Sequence, residues 1–380
     1  MKPYITLAIS FTCLAFSSCF LRSDQASPVL QETTISSHAA VRNFSVHPNG
    51  DRLYIIYPSI DALSLNLITA DVSAQPLRPS TSDTTYLDRI SYTPDIDSSF
   101  GRHAFLSQGS FHHILYLDRE NEDDAVLKWL SKTEQEQTWW IDAFPGLSVP
   151  LLALSEGPQA IQALVMDDGA FLLYRLSRDE QPERLAASPA GAFRSQGDIS
   201  VLKDAEQWAI TAYDGSRLYY LQRLEDTIRA EAIYTSGEVH FSTWSNDRLT
   251  ILVYEPDQST LTLLERERHA PESQPFQVVP VTLCSGATSV YLAACNDKRL
   301  FIFNERVIDQ QDRTGYQVSL LYPGAADPEY EKLILIESDK QIEDFEALEV
   351  GGILYVLYVK EDALTLLSLR LSDLLSSDSD

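Results

Sequence analysis

The chain has 380 residues, enough for two or three ordinary domains or for one large all-β unit. Its 55 acidic residues against 29 basic ones give a formal net charge of −26. That balance argues against a nucleic-acid partner, because affinity for phosphate backbones comes chiefly from Lys and Arg; it also resists broad adsorption to anionic lipid.

Lys2 opens the N-terminus, an apolar stretch runs from Ile5 to Phe16, and Ser17 and Ser18 stand directly before Cys19. This is the layout of a secretory signal, and it is short for a membrane span. Small residues followed at once by Cys resemble the lipobox of bacterial lipoproteins, with Phe16 where Leu is usual. The resemblance implies cleavage before Cys19, acylation of that residue and attachment to a membrane through lipid. Phe20 in place of Asp after the Cys is similar to the pattern of outer-membrane lipoproteins in enteric bacteria. The alternatives are an ordinary signal cut near Ser18 and an uncleaved anchor. Residues 1–18 are thus read as a signal peptide, and the polar stretch 19–40 as a flexible tether.

A run of hairpins follows. FSVHPNGDRLYIIYP, from Phe44, reads as strand, Asn49-Gly50 turn and strand, with a further strand over Ala62–Thr69. Phe44, Pro48, Asn49, Gly50, Arg52 and Leu53 resemble the repeat of TolB-like and WD40-like β-propellers, with His47 where Ser is common. A second hairpin pairs His103–Leu106 with Phe111–Leu117. Residues 119–137 then look like an acidic insertion, in which Ala125, Leu127, Trp129 and Leu130 suggest a short helix. Thr138–Asp142 reads as a strand.

The third hairpin turns at Asp167–Gly169 and the fourth, Trp208–Leu224, at Asp214-Gly215. The fifth turns at Ser245–Arg248, the sixth at Asn296–Lys298 and the seventh at Gly351-Gly352. The tail 372–380 is a Ser/Asp run read as disordered. Val29–Ile35 is a candidate closing strand for the last repeat. The middle strands are apolar on both faces, as sheets packed face to face require. The expected architecture is an all-β propeller over 41–371, of seven blades rather than six or eight, with a two-sheet sandwich as the alternative.

Signals for chemistry are sparse. Asp95–Ser99 begins like a calcium loop, but Gly101 arrives one position late and Leu106 replaces the final carboxylate. His112 and His113 on one strand point to opposite faces. Gly146–Pro150 lacks the second Gly of a nucleophile elbow. If Gln277–Cys284 and Ser289–Cys295 paired as a hairpin, Cys284 and Cys295 would lie roughly 20 Å apart, favouring free thiols over a disulfide. Trp139 and Trp140 alternate faces, so one ring is a candidate contact for a partner or a sugar, against a packing role for both.

No catalytic residue, cofactor or metal ligand is assigned. The favoured expectation is a lipid-anchored propeller of the cell envelope, on the periplasmic face or the outer membrane, that binds a partner protein as a scaffold. A hydrolase resembling propeller lactonases, with a metal in the channel, and a carbohydrate- or small-ligand-binding module are the alternatives.

Overall fold

A computed structural model describes residues 29–375, apart from 73–83, 94–99, 120–123, 157–158, 189–198, 203–208, 214–215, 236–239, 246–247, 256–259, 268–273, 284–286, 296–297, 309–312, 324–329 and the single positions 41, 101, 109, 134, 148, 168, 225, 343 and 362. The chain is strand almost throughout. β1 (Leu30–Ser36) comes first. Then follow β2 (Ser45–Asn49), β3 (Arg52–Ser59), β4 (Ser64–Asp71) and β5 (Thr84–Arg89), and β6 (His103–Gln108), β7 (Phe111–Arg119), β8 (Ala125–Thr133) and β9 (Trp140–Pro145). Next are β10 (Val149–Ser155), β11 (Ala160–Asp167), β12 (Ala170–Ser177) and β13 (Glu183–Ala187), and β14 (Ile199–Leu202), β15 (Ala209–Tyr213), β16 (Arg217–Leu224) and β17 (Thr227–Thr235). β18 (His240–Ser245), β19 (Arg248–Glu255), β20 (Thr260–Glu267) and β21 (Gln277–Leu283) precede β22 (Ala287–Cys295), β23 (Lys298–Ile308), β24 (Thr314–Pro323) and β25 (Tyr330–Ser338). β26 (Phe345–Val350), β27 (Ile353–Lys360), β28 (Ala363–Arg370) and the single turn α1 (Ser372–Leu375) complete the chain.

Each consecutive set of four strands is an antiparallel meander, and β26–β28 take β1 as their fourth strand. The β10–β13 and β14–β17 meanders join into one eight-stranded sheet only through a parallel bridge, Ala187 to Thr227. Third and fourth strands slip register in every meander except β6–β9, for example at Leu65/Asn66 and Leu261/Thr262. Such irregularities bend a strand and raise its twist, which splays the outer edge of each sheet.

The middle strands explain the packing. On β3, Leu53, Ile55 and Tyr57 pack with Tyr355, Leu357 and Leu366 of the β26–β28 sheet. The alternate residues Tyr54 and Ile56 pack with Ile114, Tyr116 and Leu130 of the β6–β9 sheet. A strand with period-two geometry and two buried faces loses its polar alternation. The same arrangement continues around the molecule to Leu354, Val356 and Tyr358, which pack on Leu300, Ile302 and Val318. Fully burying one such aliphatic or aromatic side chain stabilises by about 1.5–3 kcal/mol. Inner strands meet from β22 through β26, β2 and β6 to β10, and from β14 through β18 to β22; the β10–β13 and β14–β17 sheets pack through Leu164, Leu173, Ile210 and Leu221. The sheets therefore close into a ring: the fold is a β-propeller.

Antiparallel order gives the ring two rims. The entry rim holds the starts of the inner strands, such as Ser45, His103 and Phe345. The turn rim holds the hairpins between first and second strands, such as Gly50 and Gly351-Gly352. Because Leu30 pairs with Leu369, and the Leu371 N–H donates to the Gly352 carbonyl at 2.9 Å, the described ends of the chain both lie on the turn rim.

Several expectations need correction. The helix expected within 119–137 is absent: Ala125–Thr133 is β8, with Leu127 and Trp129 buried on one side and Leu130 on the other. The supposed insertion is thus an ordinary third strand. Leu30–Ser36, inside the stretch expected as a flexible tether, is a ladder strand, as the closing-strand reading has it. Ser372–Leu375, expected to be disordered, forms a helical turn. The Gln277–Cys284/Ser289–Cys295 hairpin does not form, since β21 pairs with β20 and β22 with β23. The third and fourth hairpins join second and third strands, whereas the other five join first and second.

Candidate functional site

The inner strands differ in character. β10 reads VPLLALS and β14 reads ISVL, whereas β26, β2 and β6 carry Glu346, Ser45, His47, Asn49, His103 and Ser107. Side chains two apart on a strand share a face. Ser45, His47 and Asn49 therefore line the side of β2 that meets β6, where His103, Phe105 and Ser107 face them.

Ser45 is buried, and its Oγ is 2.7 Å from His47 Nε2; His103 Nε2 contacts the same oxygen. The hydroxyl can donate to one imidazole while accepting from the other. The His47 ring is set against Phe105, with centroids 5.0 Å apart. Farther toward the turn rim, Asn49 Nδ2 donates to Ser107 Oγ at 2.5 Å, and Ser107 Oγ lies 2.8 Å from His112 Nδ1.

At the entry rim three sheets meet. Asn43 adopts φ 60°, a left-handed conformation that Asn tolerates better than most residues, and its Nδ2 donates to the Phe100 carbonyl at 2.7 Å. The Asp344 carboxylate accepts backbone N–H bonds from Phe345 and Asn43, with Arg42 and Arg102 close enough to act on it. Burial pushes its pKa up to about 6, against the pull of those N–H groups and guanidiniums. Asp344 nevertheless keeps some solvent-accessible surface. Glu346 Oε2 accepts the Val46 N–H at 2.8 Å. Burial, with the Asp344 and Glu346 charges behind it, drives the Tyr291 phenol well above its ordinary value.

This sector combines a carboxyl that titrates near neutrality, two guanidiniums and two imidazoles. Such a set can bind a polar ligand and exchange a proton with it. Among the described residues no group of three or more His, Cys, Asp or Glu stands close enough to hold a metal ion.

The residues singled out in the sequence lie elsewhere. Trp139 and Trp140 do take opposite faces. Trp139 packs with the cluster between the β2–β5 and β6–β9 sheets, 6.5 Å from His112 between ring centroids, and its buried Nε1 has no hydrogen-bond partner among the described residues. Trp140 packs edge-on against Trp129 at 5.1 Å, beneath the Arg178 guanidinium. His113 is fully buried and accepts the Trp129 indole N–H at 3.2 Å, whereas His112 faces Tyr54 on the other side. Cys19, the Asp95–Ser99 stretch, Cys284 and the side chain of Cys295 lie outside the described residues. Sequence reasoning missed Arg42, Ser45, Arg102, His103, Asp344 and Glu346; they are scattered over some 300 positions, and only the ring brings them together.

No protein-family model matches the chain, and no curated protein matches it. Solved structures do resemble it. A prolyl endopeptidase superposes with TM-score 0.51 at 11 % identity, covering 91 % of this chain and 48 % of that one. The chain thus spans about half the length of that enzyme. The polysaccharide lyase Uly1 gives TM-score 0.50 at 9 % identity, covering 91 % of this chain and 100 % of its own. TolB from Acinetobacter baumannii gives TM-score 0.37 at 11 % identity, covering 85 % and 66 %. At such identities the likeness to the first two structures speaks to the fold alone.

Proposed function

We propose that the protein is a seven-bladed propeller that serves as a lipid-anchored interaction scaffold of the cell envelope. The blade count rests on dividing the eight-stranded sheet at its single parallel bridge, so that each blade has four strands. The observation that carries the scaffold reading is the place of β1. Cys19 lies eleven residues before Leu30, a reach of at most about 40 Å even when fully extended. Leu30 enters from the turn rim. A lipid on Cys19 would hold that rim toward the membrane and leave the entry rim free for a partner. No described helix is long and apolar enough to cross a membrane. The test is incorporation of labelled palmitate into wild-type protein and Cys19→Ser, followed by mild crosslinking and pull-down from solubilised envelopes. Labelling lost in Cys19→Ser, together with a reproducible crosslinked partner, is expected. An unlabelled protein that crosslinks to nothing contradicts the proposal.

The near-neutral Asp344 between Arg42 and Arg102 favours a second reading, a small-ligand or hydrolase-like site in the polar sector. An ester and lactone screen with elemental analysis tests it. Turnover that Asp344→Asn abolishes would support this reading, and absence of both metal and turnover would end its hydrolase form.

A further inference from the structure

The β23–β24 hairpin departs from the others. In the other meanders the third strand is covered by its outer neighbour to within a residue of its entry-rim end. Ser64 pairs with Arg89, Val126 with Pro145, Thr260 with Leu283 and Leu364 with Ser36. On β12 the backbone bond from the Ser188 N–H to the Phe171 carbonyl extends the cover. β24 is different. Its ladder with β25 stops at Tyr316–Ser338, while its ladder with β23 continues through Gly315–Val307 to Thr314–Ile308. Thr314 and Gly315 therefore project past β25 on the entry rim with that edge uncovered among the described residues.

A cleft of about 600 Å³ lies beside this edge, lined by Val307, Ile308, Gly315, Tyr316, Glu337 and Asp339, among others. That volume falls within the range of natural ligand clefts, about 300–1,000 Å³. Ile308 is 65 % exposed, more than any other large apolar side chain described. Arg306 is already engaged, donating to Thr314 Oγ1 at 3.1 Å. Glu337 and Asp339 are exposed and make no ion pair or hydrogen bond through their carboxylates among the described residues.

We infer that this edge docks an extended segment of a partner protein, added as a strand beside Thr314 and Gly315. Main-chain hydrogen bonds to the open edge would give affinity, as in other cases of strand addition. An apolar side chain of the segment would cover Ile308 and Val307, and a Lys or Arg would meet Glu337 and Asp339. A basic segment also suits a chain of net charge −26, whose field steers cationic partners toward it. The inference rests on the scaffold reading and names its partner chemistry.

The test places a photoreactive benzoylphenylalanine, one position at a time, at Ile308, Tyr86 and Val278 of the full-length chain in its native envelope; all three positions are exposed. The expected result is a crosslink to another protein from position 308, at least about tenfold stronger than from the other two. The captured peptide should carry Lys or Arg beside an apolar residue. Glu337→Lys with Asp339→Lys should weaken capture at least about fivefold, with an unchanged melting temperature confirming the fold. Capture from 86 or 278 but not 308 would overturn this inference and leave the scaffold standing. Capture of a second copy of the chain at 308, or of a partner indifferent to charge reversal, would also overturn it. Capture from no position would remove both.

Discussion

Two kinds of polar contact join neighbouring sheets, and they differ in chemistry as well as place. Away from the inner strands the joints are complementary charged pairs: Lys128 with Asp88 (and with Asp118 of its own sheet), Arg178 with Glu136, Arg266 with Glu231, and Arg299 with Glu265. Where β26, β2 and β6 meet, the groups are a serine, two imidazoles, two carboxylates and the Arg42 and Arg102 guanidiniums. The first kind holds sheets together through complementary charge. The second includes Asp344, whose carboxyl is pushed up to about 6 by burial. The contrast separates the charged joints between outer strands from the polar sector on which the proposed ligand site rests.

The largest way to break the ring lies in the closing strand. Deleting residues 30–36 should cost more than the about 3–5 kcal/mol of a large buried truncation such as Trp129→Ala, and should remove cooperative melting. Chemical denaturation of both variants checks this.

Among the charged joints, Lys128→Met should be the most damaging. Asp118 is fully buried and Lys128 Nζ lies 2.6 Å from its Oδ2 and 2.8 Å from Asp88. Burial alone would lower the Lys128 pKa, but the two carboxylates more than offset that and raise it. Removing one partner of such a buried group costs about 3–5 kcal/mol, because a carboxylate is left uncompensated.

Asp344→Asn should move the other way. The folded carboxyl, at about 6, titrates above its ordinary 3.8. Its contribution to stability is therefore fully present below about pH 4 and lost as pH rises through 6. Asparagine keeps an acceptor for the backbone N–H groups and carries no charge. The variant should gain roughly 1–2 kcal/mol at pH 7.5 and nothing below pH 4; paired melts across that range measure it. An equal gain at every pH would remove Asp344 from the titrating sector.

Arg178→Ala is the smallest effect. Its Glu136 partner, held near 2 chiefly by the Arg178 side-chain hydrogen bond, is about one-third exposed. Solvent screening limits this pair to about 1 kcal/mol or less. Its stabilisation is present above the ordinary carboxylate pKa of 4.5 and lost as pH falls through 2.

Much of the ring was legible in the sequence. Asn49-Gly50 and Gly351-Gly352 mark real hairpins because φ > 0 is needed there and Gly supplies it. A turn sequence does not say which two strands of a sheet it joins, so spacing counted from the turns mixes two kinds of hairpin. Counted instead from the first residues of the inner strands, at 45, 103, 149, 199, 240, 287 and 345, the spacing narrows to 41–58 residues. β8 was misread for a related reason. Leu127, Trp129 and Leu130 are buried from both sides, so strand alternation disappears and an acidic lead-in makes the remaining pattern look helical. The polar sector left no local signal. His47 was noticed only as a variation in a repeat, and nothing near it in sequence pointed to His103 or Asp344.

Hydrogen exchange of the β1 and β28 amides tests most directly whether the two ends of the chain close one ring. If they do, the ladder-bonded amides of Leu30–Ser36 should exchange only on global unfolding, with the same denaturant dependence as β27. Exchange of β1 at the rate of an unstructured tether, with β27 still protected, would contradict the closed ring and the membrane orientation proposed from it.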